Sequence, residues 1–525
     1  MPAPQLETQE KGEKGIQTKY FQEFKGVYTK ASRTAISQDS FYDLQNLMPI
    51  GSANLHTVPG HTFAQTLGTG RTIYWMQYAC INSTDYLFCF ASSGDIYAYN
   101  IGANTYAQIN GATLMGGVQT RMDQWKNSTV LFLDTTGYYS WDGTTFTQLT
   151  GGIIPSGTLV NPEIAVYANH VWLYSNRLLY VSGINDYTGS GGAAGFAVAN
   201  GAVIQQLTDP QMRGQVVRML SASGYLYLFF KSGIFLISDV YIPTSASPPA
   251  AVFSFPNVTA QIGSNQPSSM FLMGRDLMFA NNQGLWDLAG VEPQRVSEDI
   301  DGTIQYLDKT FPVSGGLVNV NNIPNGAFLF RTVGDPIFGT RYTIALMFDK
   351  KWWFSSTTNF TLVASGVSGS DPALFGIING NQLYQLFNNA SYPMASSWQG
   401  PLWPMEDILS RKEVIRAGFE VSYINNVQQP PMFTLNVDTE SGSSNVPFTT
   451  TVGSAAWANT SYTVVQWVNN SFQVVTWINF GYSLYFGDGQ GAYGKYVGFS
   501  GTCNAGSQYQ LDTFMMDYKL RTRWT

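Results

Sequence analysis

Charge is scarce in this chain. Its 525 residues carry 27 Lys and Arg and 34 Asp and Glu, 12% in all, about half the ~25% of ordinary soluble domains. The net charge of -7 argues against a surface that grips nucleic acid, which needs a basic stripe. Basic residues gather only near the ends, at Lys11, Lys14, Lys19 and Lys25 and at Lys519, Arg521 and Arg523, where they read as solvated tails or subunit contacts. Cysteine is nearly absent: Cys80, Cys89 and Cys503 form no CxxC or metal spacing. Cys80 and Cys89 are expected in neighbouring strands as buried free thiols. Three histidines, His56, His61 and His170, make no HExxH pattern, and a His-based triad is not expected from them. With no GxxxxGK[ST], the glycine-rich stretch 189–195 reads as a loop rather than a phosphate cradle. There is no GxSxG elbow. No run approaches the ~20 apolar residues of a membrane helix. Residues 1–19 lack the apolar core of a signal peptide, so synthesis in a reducing cytoplasm is the expectation.

What the chain has in abundance is one hairpin. Tyr86-Leu-Phe-Cys-Phe-Ala-Ser-Ser-Gly94-Asp-Ile-Tyr-Ala-Tyr99 and Val130-Leu-Phe-Leu-Asp-Thr-Thr-Gly137-Tyr-Tyr-Ser-Trp141 are its first clear copies. Further copies lie at 171–181, 225–237, 277–286, 343–354 and 374–386. Turn centres run from Gly94 to Gly380, a mean spacing of about 48 residues, within the range of four-stranded blades. The apolar runs are nearly continuous, the pattern of strands covered on both faces. The expected fold is all-β, a six- or seven-bladed propeller, preferred over two consecutive sandwiches. Spacing is uneven, with a long gap over 238–266 and a short one before Gly380.

The organisation expected from composition is a disordered tail at 1–15, an N-terminal lead-in segment at 16–60, the propeller at 61–400 and a β-sandwich-like domain at 401–525. Within the lead-in, residues 37–48 are expected to form one or two helical turns capped by Ser37 or Asp39, with Phe41, Leu44 and Met48 on one face. The low-charge stretch 441–479 reads as a long hairpin or an exposed loop tip.

Propellers host glycosidases that work with paired acids, which makes the carboxylates candidates. Glu292, Glu298, Asp299 and Asp301 form the densest group. Asp299-Ile-Asp301-Gly302 resembles half of a calcium loop but lacks the remaining ligands, and an ordinary turn is the preferred reading for Asp299 and Asp301. Asp95, Asp134, Asp287 and Asp349 adjoin turns or strand ends, where Asp commonly satisfies the backbone. Tyr138-Tyr139 and Trp352-Trp353 could stack on sugars, but interblade packing is their expected role. No catalytic residue, cofactor or metal is therefore expected.

Ser37-Gln-Asp-Ser-Phe-Tyr-Asp-Leu-Gln-Asn-Leu-Met-Pro49, followed by Gly51 and Leu55-His-Thr-Val-Pro-Gly60, resembles the opening of a family of bacteriophage virion proteins. The ending, Tyr496-Val-Gly-Phe-Ser-Gly501 to Asp517-Tyr-Lys-Leu-Arg-Thr-Arg-Trp524, also resembles that family. Its members include the tail nozzle, or tubular tail, proteins of short-tailed phages. The resemblance implies a propeller followed by a C-terminal β domain, and a homohexameric ring below portal and adaptor, alongside fibre proteins. Double-stranded DNA would pass through the lumen without sequence-specific binding, in the tail of the virion, with no membrane insertion. The competing reading is a glycan-binding or glycan-cleaving propeller, such as a receptor-binding tail component.

Overall fold

The computed structural model describes residues 15–51, 54–117, 119–189, 195–243, 250–259, 261–336, 339–356, 359–405, 408–425, 432–447, 457–458, 464–465, 467–468, 474–475, 482–506 and 508–523. All but the last residue of the expected tail at 1–15, the core of the 189–195 loop and most of 441–479 lie outside these. The chain divides into two compact units: residues 61–350 with 356–388, and residues 1–60 with 351–355 and 389–525.

The larger unit is a β-propeller. Six blades are four- or five-stranded antiparallel sheets. Five follow in chain order at 73–108, 121–149, 163–206, 216–259 and 271–295. The last joins Leu362–Ser368, Asp371–Ile378 and Gln382–Leu386 to Thr62–Thr66, a strand from the opposite end of the unit. Between the fifth blade and the last stands a three-stranded ladder, Ser314–Val320, Ile323–Asp335 and Gly339–Phe348. Its first strand lies beside Phe271–Met273 on one side and Leu362–Ser368 on the other, and Leu362–Ser368 lies beside Ile73–Ile81, closing the circle. This ladder is why the expected count falls between six and seven.

Six of the seven hairpins read from sequence are hydrogen-bonded pairs within blades. The seventh is divided. Gly339–Phe348 belongs to the propeller, but Lys351–Ser356 runs parallel to Asp43–Gln45, with Phe354 opposite Gln45, in the smaller unit. The long gap after residue 238 accommodates Val252–Ser254 and Asn257–Thr259, both paired with Ile234–Tyr241.

The continuous apolar runs follow from the stacking. Phe132 and Tyr139 pack with Phe88 and Phe90 of the first blade, whereas Leu131, Leu133 and Tyr138 pack with Val171 and Leu173 of the third. Successive side chains point to opposite faces, and each face meets a different neighbour. Each such burial contributes about 1.5–3 kcal/mol. Tyr138 and Tyr139 are thus interblade residues, not sugar platforms.

Turns carry the repeat's polar signature. The Asp134 carboxylate accepts N–H bonds from Thr136 and Gly137 at 2.7 and 3.2 Å. Gly94 sits at φ +91, where a Cβ would collide with the Met115 carbonyl. Asn176-Arg177 and Asn321-Asn322 take consecutive positive φ values, as two-residue hairpin turns of the primed type demand.

The smaller unit is a sandwich, and it absorbs the lead-in segment. One sheet runs in the order Leu47–Ile50, Asn54–Thr57, Gln508–Arg523, Ser410–Asn425, Tyr482–Asp488, with Gln17–Phe21 also paired to Gln508–Arg523. The other places Asp43–Gln45 beside Ser396–Trp403, then Val497–Cys503, Phe433–Thr439 and Gly442–Asn445. Rings interlock between the sheets: Trp398 with Phe419 at 6.0 Å, Phe433 with Phe419 at 5.0 Å and Phe499 with Phe514 at 5.7 Å. The expected boundary at 400 moves to 388, and residues 16–60 are not a separate segment.

The helical expectation at 37–48 fails. Asp43–Gln45 and Leu47–Ile50 are strands, hinged at Asn46 with φ +56. Leu44, Leu47 and Met48 are all buried, so pairing and burial on both sides override a helical periodicity that would bury only one face. Two of the basic residues near the ends take part in this unit. Lys19 lies opposite Met516 and 5.7 Å from the Trp403 ring, while Arg521 donates to Glu413.

Candidate functional site

The sequence-selected acids do not assemble. Asp299 and Asp301 fall in consecutive short helical turns, Glu298–Ile300 and Asp301–Ile304, and Asp301 pairs with Arg295 at 2.6 Å. Glu292 is exposed on an outer strand. Among the described residues no three His, Cys, Asp or Glu side chains are grouped to hold a metal ion. Asp95 bonds Ser93, Gln108 and Arg71. Asp287 departs from its expected role: Oδ1 is buried with no hydrogen-bond partner among the described residues, and burial lifts its carboxyl to about 6. Cys80 and Cys89 do lie in neighbouring strands as free thiols, Cys89 buried and Cys80 half-buried.

Chemistry gathers instead where the inner strands of the first four blades begin. Trp75, from Ile73–Ile81, is buried, and two guanidiniums stack on its ring: Arg121 at 4.4 Å and Arg218 at 4.7 Å from the centroid. Arg121 Nε donates to Glu163 Oε1 at 2.8 Å, and Nη1 donates to the Thr120 carbonyl at 3.0 Å. Arg218 Nη1 donates to the Pro267 carbonyl at 2.7 Å. Asp123 accepts the Val166 N–H at 2.7 Å through Oδ2 and the Gln124 N–H at 2.7 Å through Oδ1.

Two β-bulges shape this place. Register shifts between Ile73 and Trp75, and again between Val216 and Arg218. A bulge inserts an extra residue and re-aims the side chains beside it. Here it turns Trp75 and Arg218 to a common point at the head of their strands.

Burial sets the electrostatics. Desolvation raises the Glu163 carboxyl, opposed first by Arg121 and then by Arg218. Desolvation also lifts Asp123 to about 6, opposed by its two N–H bonds and by Arg218, and lowers Arg218 to about 10, which leaves it charged near neutrality. The guanidiniums repel cations, and both carboxylates are committed to donors. The cluster is suited to holding an acceptor-rich ligand rather than a metal.

Beside it lies a cavity of about 350 Å³, at the low end of the ~300–1,000 Å³ of ligand sites. Gln119, Arg121, Asn161, Glu163, Gln215 and Asn265 supply its polar lining, and Pro162, Val216, Val217 and Pro267 its apolar lining. None of these was singled out in the sequence. A signal was there: in a chain so poor in charge, Arg121, Glu163 and Arg218 each interrupt the strand that precedes a repeated hairpin.

No family profile and no curated protein matches this chain. Among solved structures it is similar to the extracellular domain of BT4673 from B. thetaiotaomicron, with 11% identity and a TM-score of 0.40, over 63% of this chain and 40% of that one. It is also similar to BBS1N, solved in complex with ARL6DN, with 7% identity and a TM-score of 0.38, over 64% of this chain and 99% of that one. The chain thus spans less than half the length of the first.

Proposed function

We propose that this chain is a structural, non-enzymatic virion protein of a short-tailed bacteriophage, a tail nozzle or tubular tail protein that forms a homohexameric ring on the path of DNA ejection. The observation that carries this reading is the meeting of the two segments that resemble that family. Asp43–Gln45, inside the opening motif, pairs with Ser396–Trp403, which pairs with Val497–Cys503 of the closing motif. Asn54–Thr57 pairs with Gln508–Arg523. The two motifs lie hundreds of residues apart in the chain yet build one sandwich.

The outer edges of four of the six blades support a ring. Exposed edge strands normally carry Lys or Pro to prevent pairing with other chains. Thr105–Gln108, Phe146–Leu149, Val203–Gln206 and Thr62–Thr66 carry neither, and Ile204 and Phe63 are exposed on them. Such edges are tolerable where neighbours or assembly partners cover them. The heads of the axial strands are packed with Trp75, Arg121 and Arg218, so a conduit for a duplex would run through a ring of copies rather than along one propeller. A net charge of -7 would let phosphates slide rather than stick. Partners would be portal, adaptor and fibre proteins.

Native mass spectrometry and immunogold labelling test this. The expected results are an assembly of six 57.8-kDa chains, alone or with an adaptor, and label at the tail of phage particles. A chain that stays monomeric in both settings and never labels particles would refute it.

A further inference from the structure

We propose that the cavity at the head of the axial strands is a binding site for a single carboxylated sugar, a uronic-acid-sized ring. This does not rest on the virion reading, and nothing in that reading requires it.

The polar groups are arranged for such a ligand. Gln119, Asn161 and Asn265 line the cavity half-buried, and their side chains make no hydrogen bond among the described residues. Gln215 accepts the Tyr174 hydroxyl through Oε1, which leaves its amide N–H groups for the cavity. Three solvent-reachable amides without a protein partner among the described residues and a fourth with free N–H groups line one space, and together they offer a ligand both donors and acceptors. Carboxamides offer both roles at once, which matches hydroxyls that also donate and accept.

Arg121 sets the charge. Its Nε and Nη1 are used, and Nη2 has no protein partner among the described residues. That edge of the guanidinium can take a carboxylate oxygen. Glu163 beside it limits the charge that can be accepted: a doubly charged phosphate would be repelled by the same carboxylate that orients Arg121. Pro162, Val216, Val217 and Pro267 give apolar faces for the C–H side of a sugar ring.

Isothermal titration of the full chain with D-glucuronate tests the site, with D-glucose, acetate and inorganic phosphate as comparisons. Glucuronate is expected to bind saturably, at least tenfold more tightly than any of the three. Gln119→Ala and Asn265→Ala remove half-buried amides that make no protein hydrogen bond among the described residues, and are expected to weaken it tenfold or more while leaving the melting temperature unchanged; Arg121→Lys is expected to abolish the preference for the acid over glucose. Three results would each overturn the proposal: no saturable glucuronate binding below 10 mM, glucose or phosphate binding as tightly, or binding indifferent to both amide substitutions.

Discussion

Glu163→Gln is the sharpest probe of the axial cluster. Glu163 is 4% exposed and faces two guanidiniums, one bonded at 2.8 Å. Removing one partner of a buried pair costs about 3–5 kcal/mol, because the other charge stays desolvated. The amide oxygen can still accept from Arg121, so the lower end, about 3 kcal/mol, is expected. A unit of this size has an unfolding entropy near 0.7 kcal/mol/K, taking about 2.1 cal/mol/K per residue, so the melting temperature of the propeller should fall by ~4 °C. A double-mutant cycle with Arg121→Met should return a coupling of about 1–3 kcal/mol by urea unfolding. One molar salt shortens the screening length to about 3 Å but should leave this coupling largely intact, since water is excluded from the pair. A loss below about 1 kcal/mol, or a coupling erased by salt, would refute a buried, energetically coupled cluster.

Acidification should pull on the propeller in two directions. Burial lowers His61 to about 4, between the rings of Phe360 and Phe387. The unfolded chain then binds more protons between about pH 4 and 6.5, so this contribution to stability is lost as pH falls, by up to ~2–3 kcal/mol. Asp123, lifted to about 6, acts oppositely: the folded state binds more protons, so its contribution is greatest in acid and is lost as pH rises from about 4 to 6. In melts across that window, His61→Leu should flatten the acid loss, and Asp123→Asn should steepen it while removing one backbone bond at all pH values. Gly94→Ala should destabilise the first blade by about 2–4 kcal/mol, combining positive φ with the collision at Met115; an unchanged urea midpoint would contradict the turn geometry. Ile204→Lys, on an exposed outer strand, should leave the melting temperature within about 1 °C and weaken ring assembly on native mass spectrometry; hexamers of undiminished strength would show that this edge lies outside the contacts.

The blades were legible because their cause is local. A turn such as Asp134-Thr-Thr-Gly137 closes on its own backbone, and the runs on either side advertise burial on both faces. The sandwich was legible only in its C-terminal half. Gln17–Phe21 and Asp43–Gln45 are too short to show a period, and they become strands only because Gln508–Arg523 and Ser396–Trp403 offer edges hundreds of residues away. The axial cluster was hidden for a related reason. Arg121, Glu163 and Arg218 are unremarkable singly, and nothing in their spacing says that three blades bring them into one cluster. The two bulges that aim Trp75 and Arg218 depend on a partner strand, so pattern reading passes over them.

The strand Thr62–Thr66 that completes the last blade has a consequence for synthesis. It leaves the ribosome some three hundred residues before its partner Gln382–Leu386. At about 5–20 residues per second, that is ~15–60 s during which the circle stands open. Closing so long a loop costs about 5 kcal/mol of chain entropy beyond a constant term, and it is met in one late step. Gln17–Phe21 waits longer still, for Gln508–Arg523. Birth of the molecule therefore has an order: the circle of blades can shut once Gln382–Leu386 has emerged, and the sandwich seam only after Gln508–Arg523 has. Until then the four uncharged blade edges are exposed to every other nascent copy, so slow translation or crowding of polysomes should divert this chain to aggregates before it alters the finished fold.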